Sequence, residues 1–251
     1  MPKPVPLPKP KPPFMQTLAR YHIWLGWLVG VPIAGWIATG LFMTLKPLPE
    51  VRGEHLRIEP EVAQALMLEG SSIADAPIAD MGAQLKEMRV TMQEGRAVAI
   101  LTTLDGVKTR INFATEEQIP ALDAAAATAL VSERIVGGDA ITSVDFFTAD
   151  EVPFDFRRAL PVWRVALEDG TYVYVGRDTG EIEAVRTRWW RWFDLAWGLH
   201  IMDLSEREDN SHPTLIAFAT LSLIGALIGC VLMFRRRKAR VSATAVEGTA
   251  R

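Results

Sequence analysis

His22-Ile-Trp-Leu-Gly-Trp-Leu-Val-Gly-Val-Pro-Ile-Ala-Gly-Trp-Ile-Ala-Thr-Gly-Leu-Phe-Met-Thr-Leu45 and Leu215-Ile-Ala-Phe-Ala-Thr-Leu-Ser-Leu-Ile-Gly-Ala-Leu-Ile-Gly-Cys-Val-Leu-Met-Phe234 are two uncharged apolar stretches in a chain of 251 residues. Each is about 20–24 residues long, enough for a helix to cross a ~30 Å hydrocarbon layer. Lys3, Lys9, Lys11 and Arg20 precede the first, and Arg235, Arg236, Arg237, Lys238 and Arg240 follow the second. Basic residues collect on the cytoplasmic side of spans. The pattern predicts a two-pass membrane protein with both termini cytoplasmic and residues 46–214 forming an external domain on the other side.

Charge agrees with that topology. The two tails carry about +4 and +5 while the whole chain is −3, which leaves about −12 for everything between them. So acidic a middle lacks the clustered cations that nucleic-acid binding needs. Ala38-Thr39-Gly40 resembles a signal-peptidase site, but the apolar run exceeds the roughly 7–15 residues of a signal h-region and continues through Leu41-Phe42-Met43. An uncleaved span is the expectation. Cys230 is the one cysteine, so neither an intrachain disulfide nor a C-x-x-C site can form.

Residues 1–14 alternate proline with lysine and apolar residues, a composition that favours a disordered, extended tail. The first span takes residues 15–45, and Lys46-Pro47-Leu48-Pro49 stops it. Residues 46–187 form an α+β domain with a rough internal duplication. Pro60–Glu69 has the composition of a short helix, followed by strand-like runs at Glu87–Gln93, Ala97–Thr103 and Val107–Phe113. The order recurs with Ala121–Val136 as a helix and Ile141–Phe147, Val162–Leu167, Thr171–Gly176 and Glu181–Arg186 as strands. Glu94-Gly95, Asp105-Gly106, Asp169-Gly170 and Asp178-Thr179-Gly180 mark the turns. The predicted fold is therefore two transmembrane helices flanking an α+β domain whose helices lie against antiparallel sheet. Residues 188–212 read as a tryptophan-rich interfacial helix and loop, 213–235 as the second span and 236–251 as a basic tail.

Leu160-Pro-Val-Trp-Arg-Val-Ala-Leu-Glu-Asp-Gly-Thr-Tyr-Val-Tyr-Val-Gly-Arg-Asp-Thr-Gly-Glu-Ile182 resembles the closing strands of a PepSY domain. Arg20-Tyr-His-Ile-Trp-Leu-Gly-Trp27 is similar to the H-x-W-L-G opening of the PepSY-associated transmembrane family, and Trp197-Gly-Leu-His-Ile-Met-Asp203 to its LH-x-M segment. The resemblance covers most of residues 15–235. It implies a cell-envelope binding module, in some proteins a protease-inhibitory one. Larger members, with about twice as many spans, imply links to iron uptake, some as haem-bearing reductases of siderophore iron.

Four histidines are candidates for cofactor chemistry. His22 opens the first span and heads a ladder of small residues, Gly26, Gly30, Ala34 and Ala38, at the four-residue spacing of one helix face. It is placed to face another helix, where a neutral imidazole can ligate haem b; the competing reading is a headgroup-level histidine beside Tyr21 and Trp24. Gly225 and Gly229 form a matching pair in the second span, able to pack within one chain or to build a homodimer. His200 ends the apolar stripe Trp189, Phe193, Trp197, with Arg186, Arg188 and Arg191 expected at lipid headgroups. His212 precedes Pro213 at the start of the second span, and His55 lies near the end of the first. His200 and His212 can meet across a loop carrying Asp203, Glu206, Glu208 and Asp209, which suits a hard cation; the competing reading is a solvated acidic loop.

No G-x-S-x-G, H-E-x-x-H or phosphate-cradling glycine loop occurs. Together with this absence, the resemblance implies a non-catalytic accessory component of an envelope process such as iron or other metal uptake, with membrane lipid and a periplasmic or membrane protein as partners. A haem-b redox homodimer is the alternative, and a membrane-tethered protease-inhibitory module a third.

Overall fold

The computed structural model describes residues 14–58, 84–207 and 211–249. The chain divides into a helical unit, made of the described residues up to Leu45 and from Phe193 onward, and a domain of Lys46–Trp192.

In the helical unit, α1 (Phe14–Met43) runs without a break through Pro32. Phe14, assigned above to the tail, is its first residue. The second long helix runs from Pro213 to Thr249. Proline at its first position costs no hydrogen bond, because the first N–H groups of any helix lack an intrahelical acceptor. This helix does not stop at Phe234 as the sequence suggested. Arg235 to Thr249 contains good helix formers and no glycine before Gly248, so nothing local ends it earlier. Both helices are long and apolar enough to cross a membrane, and only 6% of each apolar window is buried within the fold.

In the domain, Pro47 stands before a new short helix, α2 (Leu48–Val51), and Gly53, at φ +73°, leads into a 3₁₀ turn at Glu54–Leu56. Two antiparallel sheets follow, each a four-strand meander in chain order. The first contains β1 (Leu85–Gln93), β2 (Arg96–Thr103), β3 (Lys108–Asn112) and β4 (Gln118–Ile119). The second contains β5 (Ile141–Phe147), β6 (Val162–Leu167), β7 (Tyr172–Gly176) and β8 (Ile182–Arg186). Seven of these are the runs read from the sequence, within a residue or two at their ends. β4 was missed, because two residues carry no alternation to read. The expected Pro60–Glu69 helix lies outside the described residues.

Between the sheets lies α3 (Ala124–Arg134), capped by Asp123, whose Oδ1 accepts the Ala126 N–H at 2.8 Å. Its Ala127 and Val131 join Val165, Leu167, Val173, Val175 and Val185 in one core. Strand alternation sends Val162, Tyr174 and Ala184 to the other face, where Phe156 and Leu160 of the long β5–β6 connection cover them. Both faces of the second sheet are therefore closed. The Tyr174 hydroxyl donates to Asp155 Oδ1 at 2.6 Å, and burial together with that bond pushes its pKa well above the ordinary tyrosine range.

The two sheets are joined at the β7–β8 turn, where consecutive residues are each held from elsewhere. Gln93 Nε2 donates to Thr179 O at 2.9 Å, Arg89 pairs with Glu181, and Arg57 Nη2 donates to Ile182 O at 3.1 Å. Between them Gly180 sits at φ +64°, and a Cβ there would stand 2.1 Å from Arg110 Nη1. Gly180→Ala should therefore strain the backbone and push Arg110 aside together, destabilising the protein by about 1–3 kcal/mol. A thermal unfolding midpoint equal to that of the unmodified chain would refute the role given to this turn.

Candidate functional site

The helical unit holds three of the four candidate histidines. The fourth helix, α4 (Arg188–His200), is the tryptophan-rich segment expected from the sequence. The long C-terminal helix, here α5 (Pro213–Thr249), packs against α1.

His22 faces α5. A Cβ at Gly229 would stand 2.9 Å from His22 Cε1, and one at Gly225 would stand 3.3 Å from Leu25 Cδ2. Gly225 and Gly229 thus form a shallow face into which His22 and Leu25 fit. His22 Nδ1 is buried there with no hydrogen-bond partner among the described residues. Buried polar atoms are nearly always satisfied, so an unpaired one in a helix contact is unusual.

The ladder attached to His22 does not share that face, which corrects one option read from the sequence. No atom lies within 4 Å of a Cβ placed on Gly26 or Gly30, and Ala34 and Ala38 are exposed. The reason is the helical period. The stripe of α1 that meets α5 runs through His22 and Leu25 toward the buried Val29, at steps of three and four, and residues four apart drift by about 40° per step. Repeated steps of four carry Gly26 through Ala38 progressively off the contact. Intrachain packing therefore sets glycines of α5 against larger side chains of α1, not small face against small face.

His200 ends α4 and engages the far part of α1. Its ring stacks on Trp36 with centroids 4.7 Å apart and planes 12° from parallel. Nδ1 lies 3.1 Å from Trp36 O and 3.1 Å from Thr39 Oγ1. A carbonyl can only accept, so Nδ1 carries the proton. The Thr39 hydroxyl, itself donating to Gly35 O or Trp36 O, receives the same N–H. In the neutral ring the lone pair is then on Nε2. A ring fixed by an Nδ1–H to a backbone carbonyl is the usual arrangement of a metal-ligating histidine. Thr39 and Trp36 were not singled out from the sequence; the one signal was a hydroxyl in an otherwise apolar helix.

His22 and His200 do not come together. At 1.5 Å per residue, the Trp36–Thr39 turn lies about 21–26 Å along α1 from His22. In the acidic loop the Asp203 carboxylate is engaged within the protein. Asp203 Oδ1 accepts from Ser205 N, Ser205 Oγ and Glu206 N, closing a turn. Asp194 pairs with Arg207, and Trp197 Nε1 donates to Arg207 O at 3.1 Å, folding the loop back on α4. His212 Nδ1 meets Thr214 Oγ1 at the start of α5. Among the described residues no three His, Cys, Asp or Glu side chains gather as a metal would require; Glu208 and Asp209 lie outside them. His55, on the 3₁₀ turn, belongs to the other unit and is exposed.

Arg186 and Arg191 were expected at lipid headgroups but are held by the domain. Arg186 Nε donates to Asp155 O at 2.7 Å and its guanidinium lies over Trp190, while Arg191 Nη2 donates to Gly170 O at 2.6 Å. Carbonyls at loop ends outcompete solvent for these donors.

Gly229→Leu should force His22 from its seat and lower the unfolding midpoint, at a cost of about 1–3 kcal/mol. Gly26→Leu, with open space around it, should leave the α1–α5 contact of the single chain intact. Equal destabilisation by the two, measured side by side in detergent, would show that the helix contact is misassigned. No protein-family model, curated protein or solved structure matches this chain.

Proposed function

We propose that the chain is a two-pass protein of the bacterial inner membrane whose PepSY-like domain, residues 46–187, is a non-catalytic binding or accessory component of an envelope process such as iron or other metal uptake. The observation that carries the anchoring is the uncovered apolar surface of α1 and α5, with Trp24, Trp27, Leu28, Leu223 and Leu227 all exposed. An apolar surface of this extent is costly in water and is covered by lipid. Arginines and lysines beyond the outer ends of both segments favour cytoplasmic termini. The PepSY-like reading is supported by the strands β6–β8 and by their Asp178-Thr179-Gly180-Glu181 turn.

Carbonate-washed membranes should retain the protein, and protease added to spheroplasts should cut the domain while sparing both tails. Release by carbonate, or a domain protected in spheroplasts, would overturn the topology. A strain lacking the protein should grow normally in metal-replete medium and slowly when iron is chelated. Unchanged growth under limitation of each transition metal would overturn the accessory role.

One observation favours the haem-b reading as the second choice: His200 is held with its Nε2 lone pair available. Since His22 lies more than about 20 Å away, a bis-histidine haem at the level of His22 would draw its second histidine from another copy, while one at His200 would draw on His212 or on another copy. The uncovered Gly26–Ala38 face supports such pairing. A reduced-minus-oxidised spectrum of the purified protein should then show a b-type Soret band that His200→Ala or His22→Ala removes. A featureless spectrum from folded protein made with ample haem would sink this reading.

A further inference from the structure

On the side of the first sheet that faces α3 and the β7–β8 turn, a cleft of about 720 Å³ is bounded by β1, β3, the 119–123 strap, α3 and residues 180–182. That is the volume range of small-ligand sites. Strand alternation selects its wall. Met88, Val90, Ala99, Leu101 and Ile111 point to the apolar side of the sheet, which sends Arg89, Gln93, Val98 and Arg110 to the cleft. Five arginines line it, Arg57, Arg89, Arg96, Arg110 and Arg134, although the segment between the tails is acidic overall.

The cations are unequally compensated. Arg89 pairs with Glu181, Arg96 with Glu94 and Arg134 with Glu133. Asp123 is committed to the α3 cap. Arg57 and Arg110 are left with neutral acceptors among the described residues. Arg57 reaches Ile182 O, while Arg110 donates from Nη1 to Gln93 Oε1 at 3.2 Å and from Nη2 to Pro120 O at 2.6 Å. Arg110 is the more exceptional of the two. It is only 8% exposed, and its Nε is buried without a partner among the described residues. Burial holds its guanidinium below the ordinary arginine value, against weaker attraction from Glu94 and Asp178. A buried cation with no carboxylate beside it is costly, and that cost is met when an anion arrives.

We propose that this cleft is a binding site for a small organic oxyanion, its carboxylate or phosphate group facing Arg110 and Arg57. The planar guanidinium fork matches both groups. Ala126, Ala129 and Leu130 of α3 provide an apolar wall for the rest of the ligand. Gln93, which already accepts from Arg110 and donates to Thr179 O, orients the guanidinium against the turn.

The test uses the full-length protein in detergent, with citrate and inorganic phosphate as probes and sodium chloride holding ionic strength constant. At least one probe should raise the unfolding midpoint saturably, with an apparent Kd of about 1 mM or below. A response to citrate alone assigns a carboxylate ligand, to phosphate alone a phosphate-bearing one, and to both the oxyanion itself. Arg110→Gln should weaken the effect at least about tenfold. Arg57→Gln, which removes a half-buried charge at the cleft's edge, provides the same reading should the first variant fail to fold. Arg177→Gln, an exposed arginine outside the cleft's lining, should bind as the unmodified chain does. No saturable shift with either probe would overturn the site, as would unchanged affinity in both Arg110→Gln and Arg57→Gln.

Discussion

The β7–β8 turn is where the two halves of the domain become one structure. Asp178-Thr179-Gly180-Glu181 is a short hairpin connection, yet Gln93, Arg110, Arg89 and Arg57 all converge on it or on the residue after it. Backbone carbonyls at a hairpin tip point outward and need donors. The first sheet supplies amide and guanidinium groups from one face, at the alternate positions a strand provides. The consequence is directional: the second half accepts, the first half donates, and cations gather between them. The cleft is what remains where that donation exceeds the available acceptors.

Much of this architecture was legible. Ile141–Phe147 and Val162–Leu167 were read to their ends, because a period-two pattern bounded by turn residues leaves little freedom. The tryptophan-rich helix lies within residues 188–212, where the sequence placed it together with a loop, and runs from Arg188 to His200. The misses share a cause, which is that they depend on partners distant in sequence. β4 exists only because β3 offers it an edge through Arg110 and Ile111. Arg186 and Arg191 were assigned by composition to headgroups, whereas specific carbonyls hold them.

The histidines show the same division. That His22 faces a helix was read from the ladder Gly26 to Ala38, which itself lies off the contact. Counting steps of four joined it to Gly26 and Gly30, while the helix contact follows steps of three and four together. His200 could be placed on an apolar stripe, yet its tautomer became readable only with Trp36 O and Thr39 Oγ1 beside Nδ1. Neither Arg110 nor Gln93 stood out in the sequence, since an arginine in a strand is ordinary until its burial and its acceptors are known.

The alternation that builds the cleft also guards the pairing of its strands. Arg89, Ile100 and Arg110 lie side by side across β1, β2 and β3. Sliding any one strand by a single residue would exchange its two faces. Arginines would enter the apolar side beside Leu101 and Ile111, and Met88 or Val90 would turn toward the carbonyls of the β7–β8 hairpin. Misregistered sheets would thus bury bare cations while leaving acceptors unmet, and both are costly. The residues that give the cleft its charge also fix the register of the strands that carry them.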